Sequence, residues 1–192
     1  MATVIPIRVT ERAQALAHEV LKPGDLAIDA TAGKGRDTGF LAQAVGHTGW
    51  VHSFDIQADA IHSTRNLLEA SGLIDHVTLH QRSHAELTDA LPESHRGKIT
   101  VVLFNLGYLP GSDQKIITKP ESTLIALQSA LRELKLGGRL ICVTYTGHPG
   151  GKEESNMVEK FAESAEKSGN TVEKIGYALY QPKPWILVVS RR

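Results

Sequence analysis

One cysteine, Cys142, stands in the whole chain, which excludes an internal disulfide. Its setting, Leu140-Ile141-Cys142-Val143, suits a small buried hydrophobe better than a nucleophile, and this sparing usage fits a reducing, cytoplasmic location. Net charge is lacking too. Twenty-one basic and twenty-one acidic residues cancel, which removes a global pull toward nucleic acid while leaving room for a local basic patch. No stretch approaches the length of a membrane span, and the opening MATVIPIRVTERAQALAHEV lacks the basic-then-apolar layout of a signal peptide. Nine histidines are scattered without cysteine partners at ligand spacing, so no metal site is expected. Repeats, low-complexity tracts and long linkers are also missing. A length of 192 residues with 41% hydrophobic content can bury one sizeable core, and a single domain over 1–192 is the expectation.

What the chain does have is an alternation of helix-like and strand-like segments. Apolar positions Ala13, Leu16, Ala17, Val20 and Leu21 recur at helical spacing after Thr10, read as the N-cap, and Pro23-Gly24 is read as the stop. Leu26 to Ala30 is the first expected strand, followed by a glycine turn and a helix through Phe40-Leu41-Ala42. Trp50 to Asp55 is the second, and a helix from about Asp59 to Ala70 leads to Val77–His80 as the third. The near-continuous apolar run Ile99 to Phe104 reads as a central strand covered on both faces. A helix from roughly Ser122 to Leu134 is expected to stop at Gly137-Gly138, before a fifth strand from Arg139 to Tyr145. Glu153 to Lys167 reads as an amphipathic helix, and Thr171–Tyr180 and Trp185–Ser190 as a closing hairpin. The α/β plan is therefore a seven-stranded, mostly parallel sheet with a C-terminal antiparallel hairpin and helices on both faces, the Rossmann-like plan of class I methyltransferases.

Three strand ends carry the candidate chemistry. The turn Asp29-Ala30-Thr31-Ala32-Gly33-Lys34-Gly35-Arg36-Asp37-Thr38 lies where open α/β sheets bind ligands, and Gly33 and Gly35 let the backbone approach one closely. A dinucleotide site would place a third glycine where Thr38 stands, and Asp29 argues against a phosphate. A carboxylate there favours a cationic ligand such as S-adenosylmethionine, the alternative being that Asp29 only caps the following helix. Asp55, 20 residues after Gly35, sits at the spacing from which an acidic side chain accepts both ribose hydroxyls; otherwise it is a turn aspartate. Ser83 and His84 follow the third strand, either at an adenine edge or as plain polar loop residues.

Asn105-Leu106-Gly107-Tyr108-Leu109-Pro110-Gly111 follows the fourth strand and is similar to the Asn-Pro-Pro-Tyr pattern of amino-methyltransferases. There an Asn carbonyl holds the amine hydrogens so that the lone pair faces the methyl group. Asn105 is thus the leading catalytic candidate, the alternative being a turn-supporting Asn. Tyr108 either stacks on a base or faces the core. His148, in Tyr145-Thr146-Gly147-His148-Pro149-Gly150-Gly151, either accepts the proton of an ammonium substrate or is bonded within its own turn.

With these motifs the chain resembles, over nearly its whole length, the MnmM family, long labelled rRNA methylases and typified by bacterial tRNA 5-aminomethyl-2-thiouridine methyltransferase. The resemblance rests on Asp29–Thr38, Phe54-Asp55-Ile56-Gln57, Ser83-His84, Asn105–Gly111 and Gly147–Gly151. It implies S-adenosylmethionine as cofactor, held by the Asp29–Thr38 turn including Thr31, Lys34, Asp37 and Thr38, and by Asp55, Ile56, Gln57, Ser83, His84 and Asn105. It also implies tRNA as substrate, through its anticodon stem-loop, with Tyr108, Leu109, Pro110 and His148 toward the acceptor base. Where relatives read Gly-Asn-Gly-His-Asp-Thr, this chain has Lys34 and Arg36, which with Lys115 and Lys119 are candidates for RNA phosphates. Methylation of rRNA, of another nucleobase or of a small molecule, an NAD-dependent dehydrogenase, and a nucleotide-binding module without chemistry are the alternatives. The oligomeric state is open, a homodimer included.

Overall fold

The computed structural model describes residues 8–107, 117–176 and 184–192. Seven strands form one sheet: β1 (Leu26–Asp29), β2 (Trp50–Asp55), β3 (Val77–Gln81), β4 (Ile99–Asn105), β5 (Leu134–Thr144), β6 (Thr171–Gly176) and β7 (Trp185–Ser190). Their order is β3-β2-β1-β4-β5-β7-β6, parallel from β3 to β5, with β7 antiparallel to both β5 and β6. This is the expected plan. Chain direction across the sheet reverses between β1 and β4, which pair directly, so their carboxyl ends open a crevice that no crossover covers.

Six helices cover the two faces: α1 (Val9–His18), α2 (Arg36–Val45), α3 (Ala58–Ala70), α4 (Leu87–Ala90), α5 (Pro120–Glu133) and α6 (Gly151–Lys167). Alternation along the strands builds two cores. Ile28, Val102 and Phe104 point toward α4, α5 and α6, whereas Ala27, Val101 and Leu103 point toward α1, α2 and α3. Cys142 is fully buried in the first core, and burial pushes its thiol well above the ordinary range, with the charge of Glu154 adding to the rise.

Several boundaries differ from the sequence reading. Thr10 is not the N-cap of α1; Arg8 is, and the Glu11 carboxylate accepts its N–H at 3.2 Å, which closes the first turn without a hydroxyl. That helix ends at His18, before Pro23, and the chain beyond turns on itself, with Asp25 accepting the Lys22 N–H at 2.8 Å. Gly137-Gly138 does not stop α5 either. Glu133 ends the helix, with its carboxylate accepting the Thr88 hydroxyl and the Gly97 N–H, and β5 runs from Leu134 through both glycines. A side chain at Gly138 would lie 2.9 Å from the Ile99 carbonyl oxygen, so this position serves close strand approach. The strand expected over Thr171–Tyr180 is described as far as Gly176, and its remaining residues lie outside the described ones.

Candidate active site at the carboxyl edge of the sheet

A cleft of about 580 Å³ opens above the ends of β1, β2 and β4. The β1–α2 turn forms its floor. Gly33 (φ +54°) faces the cleft, while Gly35 (φ +79°) faces inward, where a Cβ would lie 2.9 Å from the Thr64 Cα. Asp29 does not line the cleft. It is fully buried, accepting the Thr38 hydroxyl at 2.6 Å and the Thr31 N–H at 3.0 Å, and the Thr38 oxygen lies 2.8 Å from Ser53 Oγ. The carboxylate thus braces the turn from beneath without capping α2. Burial, followed by the nearby charge of Asp37, pushes its pKa up to about 7.

The carboxylates that do reach the cleft are Asp37 and Asp55. Asp37, in the first turn of α2, accepts Gln14 Nε2 at 2.7 Å; burial raises its pKa against that hydrogen bond and the Arg36 charge. Asp55 ends β2 and accepts the Gly33 N–H at 3.0 Å and the Gln57 N–H at 2.9 Å, one on each oxygen. Each oxygen keeps a lone pair for a further donor. Ile56 and Gln57 extend this wall, and Ser83 and His84 line the cleft beyond β3. Ser83 caps its own turn by accepting the Ala85 N–H. The buried His84 bonds the Ala30 carbonyl through Nδ1 at 3.2 Å, which requires the proton on Nδ1, and burial lowers its pKa so that the ring is neutral.

Asn105, the last residue of β4, donates its N–H to Thr31 Oγ1 at 2.8 Å, which ties the acceptor loop to the cofactor turn. Its side chain lines the cleft and makes no hydrogen bond to the described residues. His148 packs behind the same loop: a Cβ on Gly107 would lie 3.7 Å from its Nε2. Its Nδ1 bonds the Pro149 carbonyl at 3.0 Å, within its own turn, and His148 does not line the cleft. Lys34, Arg36 and Lys119 are exposed at the cleft rim. Tyr108, Leu109, Pro110 and Lys115 lie outside the described residues.

Sequence reasoning missed Gln14, Arg82, Thr118 and Tyr145, all of which line the cleft. Tyr145 follows β5 at the same sheet edge as Asn105, a signal that could have found it; burial and then the Asp37 charge raise its hydroxyl to about 12. Gln14 arrives from α1, 23 residues before its partner Asp37, and nothing local announces it. Among the described residues no group of three or more His, Cys, Asp or Glu is arranged to hold a metal ion, and no helix is long and apolar enough to cross a membrane.

A chloroplastic tRNA (mnm5s2U34)-methyltransferase of Arabidopsis thaliana is 43% identical over 162 residues, covering 80% of this chain and 58% of the relative. The chain therefore spans little more than half the length of that protein. A crystal structure described as a "putative rRNA-methylase" from Clostridium thermocellum superposes with a TM-score of 0.91 at 33% identity, over 98% of this chain and 100% of the other. A structure described as a "putative methyltransferase" from Streptococcus mutans in complex with SAH superposes with a TM-score of 0.84 at 30% identity, over the same shares. A family model matches residues 51–191, from the second strand to the penultimate residue, and by that match the chain belongs to the family described as "Putative rRNA methylase".

Proposed function

We propose that this chain transfers a methyl group from S-adenosylmethionine to the primary amine of 5-aminomethyl-(2-thio)uridine at the tRNA wobble position, giving the 5-methylaminomethyl form. The observation that carries the reading is Asn105, whose amide is open to the cleft on a loop tied to the glycine turn. The Arabidopsis relative bears the name of this reaction, and the Streptococcus neighbour holds SAH, which support it from outside the chain.

The residues fit the cofactor. Asp55 offers both oxygens to ribose hydroxyls, the Gly33 backbone lies open to the cleft, and Asp37 places a carboxylate where an ammonium or sulfonium is stabilised. A pyrophosphate would meet that same carboxylate at the N-terminus of α2, which disfavours NAD. Bound there, S-adenosylmethionine supplies an electrophilic methyl group. The Asn105 side-chain carbonyl accepts an N–H of the acceptor amine and orients its lone pair. The amine loses one proton overall. Lys34, Arg36 and Lys119 meet RNA phosphates at the rim, and the reaction takes place in the cytoplasm, which suits a lone buried thiol.

The test is a pair of measurements. Calorimetry should find binding of S-adenosylmethionine and none of NAD, and methyl label should pass into tRNA that lacks the terminal methyl group. Label passing into rRNA instead, or NAD binding in place of S-adenosylmethionine, would contradict the proposal.

A further inference from the structure

The loop that carries Asn105 is held from behind by a buried carboxylate. Glu154, in the first turn of α6, is only 2% exposed, and its two oxygens accept the Thr118 hydroxyl at 2.7 Å and the Thr123 hydroxyl at 2.6 Å. Thr118 in turn grips Gly107 twice: its Oγ1 accepts the Gly107 N–H at 2.9 Å, and its own N–H donates to the Gly107 carbonyl at 2.9 Å. A hydroxyl has one proton. Committing it to Glu154 turns the oxygen lone pairs toward Gly107, so the carboxylate sets the direction of the grip. Gly107 sits at φ +132°, a conformation that glycine adopts readily, two residues after Asn105 and against His148. Glu154 itself lies three residues after Gly151, at the end of the His148 turn. Burying a carboxylate is costly, and apolar side chains would pack the same space at least as well. Its hydrogen bonds instead join the start of α5, the acceptor loop and the His148 turn at one point.

We infer that Glu154, acting through Thr118, is a positioning residue that holds the Asn105–Gly107 loop in the conformation that presents the acceptor amine. This rests on the reading of the cleft as an amine-methylating site. It requires that the acceptor step depend on the Thr118 branch of the carboxylate and not on the Thr123 branch, although the two hydrogen bonds are of similar length, 2.7 and 2.6 Å.

The experiment compares Thr118→Val, Thr118→Ser, Thr123→Val and Glu154→Gln in the full chain. It reads kcat at saturating tRNA and cofactor, cofactor affinity, melting temperature and hydrogen exchange of the Gly107 amide. Thr118→Val and Glu154→Gln should lower kcat by up to about 100-fold at unchanged cofactor affinity, with faster Gly107 exchange. Thr118→Ser should keep the rate, and Thr123→Val should keep it while losing thermal stability. Equal loss of kcat in Thr118→Val and Thr123→Val would mark a merely structural carboxylate and overturn the inference, as would a wild-type rate in Thr118→Val. If the wild-type chain methylates no tRNA, the functional reading fails, and Gly107 exchange decides the clamp: faster in Thr118→Val and Glu154→Gln supports it, unchanged overturns it.

Discussion

Asp29 and Asp55 both end strands, yet the fold gives them opposite duties. Asp29 spends its oxygens on Thr38 and the Thr31 N–H beneath the turn, whereas Asp55 faces the cleft while holding Gly33 and Gln57. Asp55→Ala should therefore weaken S-adenosylmethionine binding by about 1.5–3 kcal/mol for each lost ribose bond, and loosen the glycine turn as well. Calorimetry on the folded variant checks this, and unchanged affinity would remove Asp55 from the site. Asn105→Ala should act on chemistry alone, lowering kcat by up to about 100-fold at unaltered cofactor affinity. Cys142→Ser should stay active when folded, since no covalent step needs its buried thiol, but should be less stable by about 1–3 kcal/mol for the hydroxyl it buries. A pH dependence follows from the carboxylates. A bound cation favours their ionised forms, so binding lowers their pKa and releases protons; since burial raises the pKa of Asp37, which lines the cleft, and of Asp29 beneath it, affinity for S-adenosylmethionine should rise with pH as they ionise. Asp29→Asn should flatten that profile, and an affinity that falls with rising pH would contradict the arrangement of charge.

The β1–α2 turn is the element on which the cofactor reading depends. Gly35→Ala should cost more than about 1 kcal/mol in urea denaturation, since alanine must hold φ +79° with its Cβ against Thr64, and should weaken cofactor binding with it. Turns of this kind were legible in the sequence because glycine and a strand-ending acid leave a local mark. So were β2 and β7, whose read ends, Trp50–Asp55 and Trp185–Ser190, are those of the structure. Gly49 and Pro184 punctuate their starts. Legibility failed where distant partners decide the matter. Glu133 is held by Thr88 and Gly97 from other parts of the chain, so α5 ends before the glycines that seemed to stop it. The histidines show the same limit. His52, His80 and His95, scattered in sequence, form a hydrogen-bonded row at 3.1 and 2.9 Å, and burial pushes His52 down to about 3. Both nitrogens of His52 are spent on the row, so the three rings do not converge on a common point. Glu154 was invisible for a like reason: in sequence it is one more acid on a charged amphipathic helix.

At the scale of the molecule, the sheet order places β1 beside β4 and so brings the glycine turn, 76 positions from Asn105 at Asp29, to within a hydrogen bond of the acceptor loop. Two packed layers hold that junction rigid from both faces. Charge is balanced overall, and the cationic rim formed by Lys34, Arg36, Arg82 and Lys119 is a local feature around acidic walls. Such a cleft suits a cationic cofactor inside and a polyanion outside. Whether the acceptor is the wobble amine is decided by mass spectrometry of wobble nucleosides from tRNA carrying 5-aminomethyl-uridine, after incubation with the chain and S-adenosylmethionine. The wild type should convert it to 5-methylaminomethyl-uridine and Asn105→Ala should not; an unchanged wobble nucleoside, with methyl groups found at another base or in no RNA, would rule out the wobble amine as acceptor.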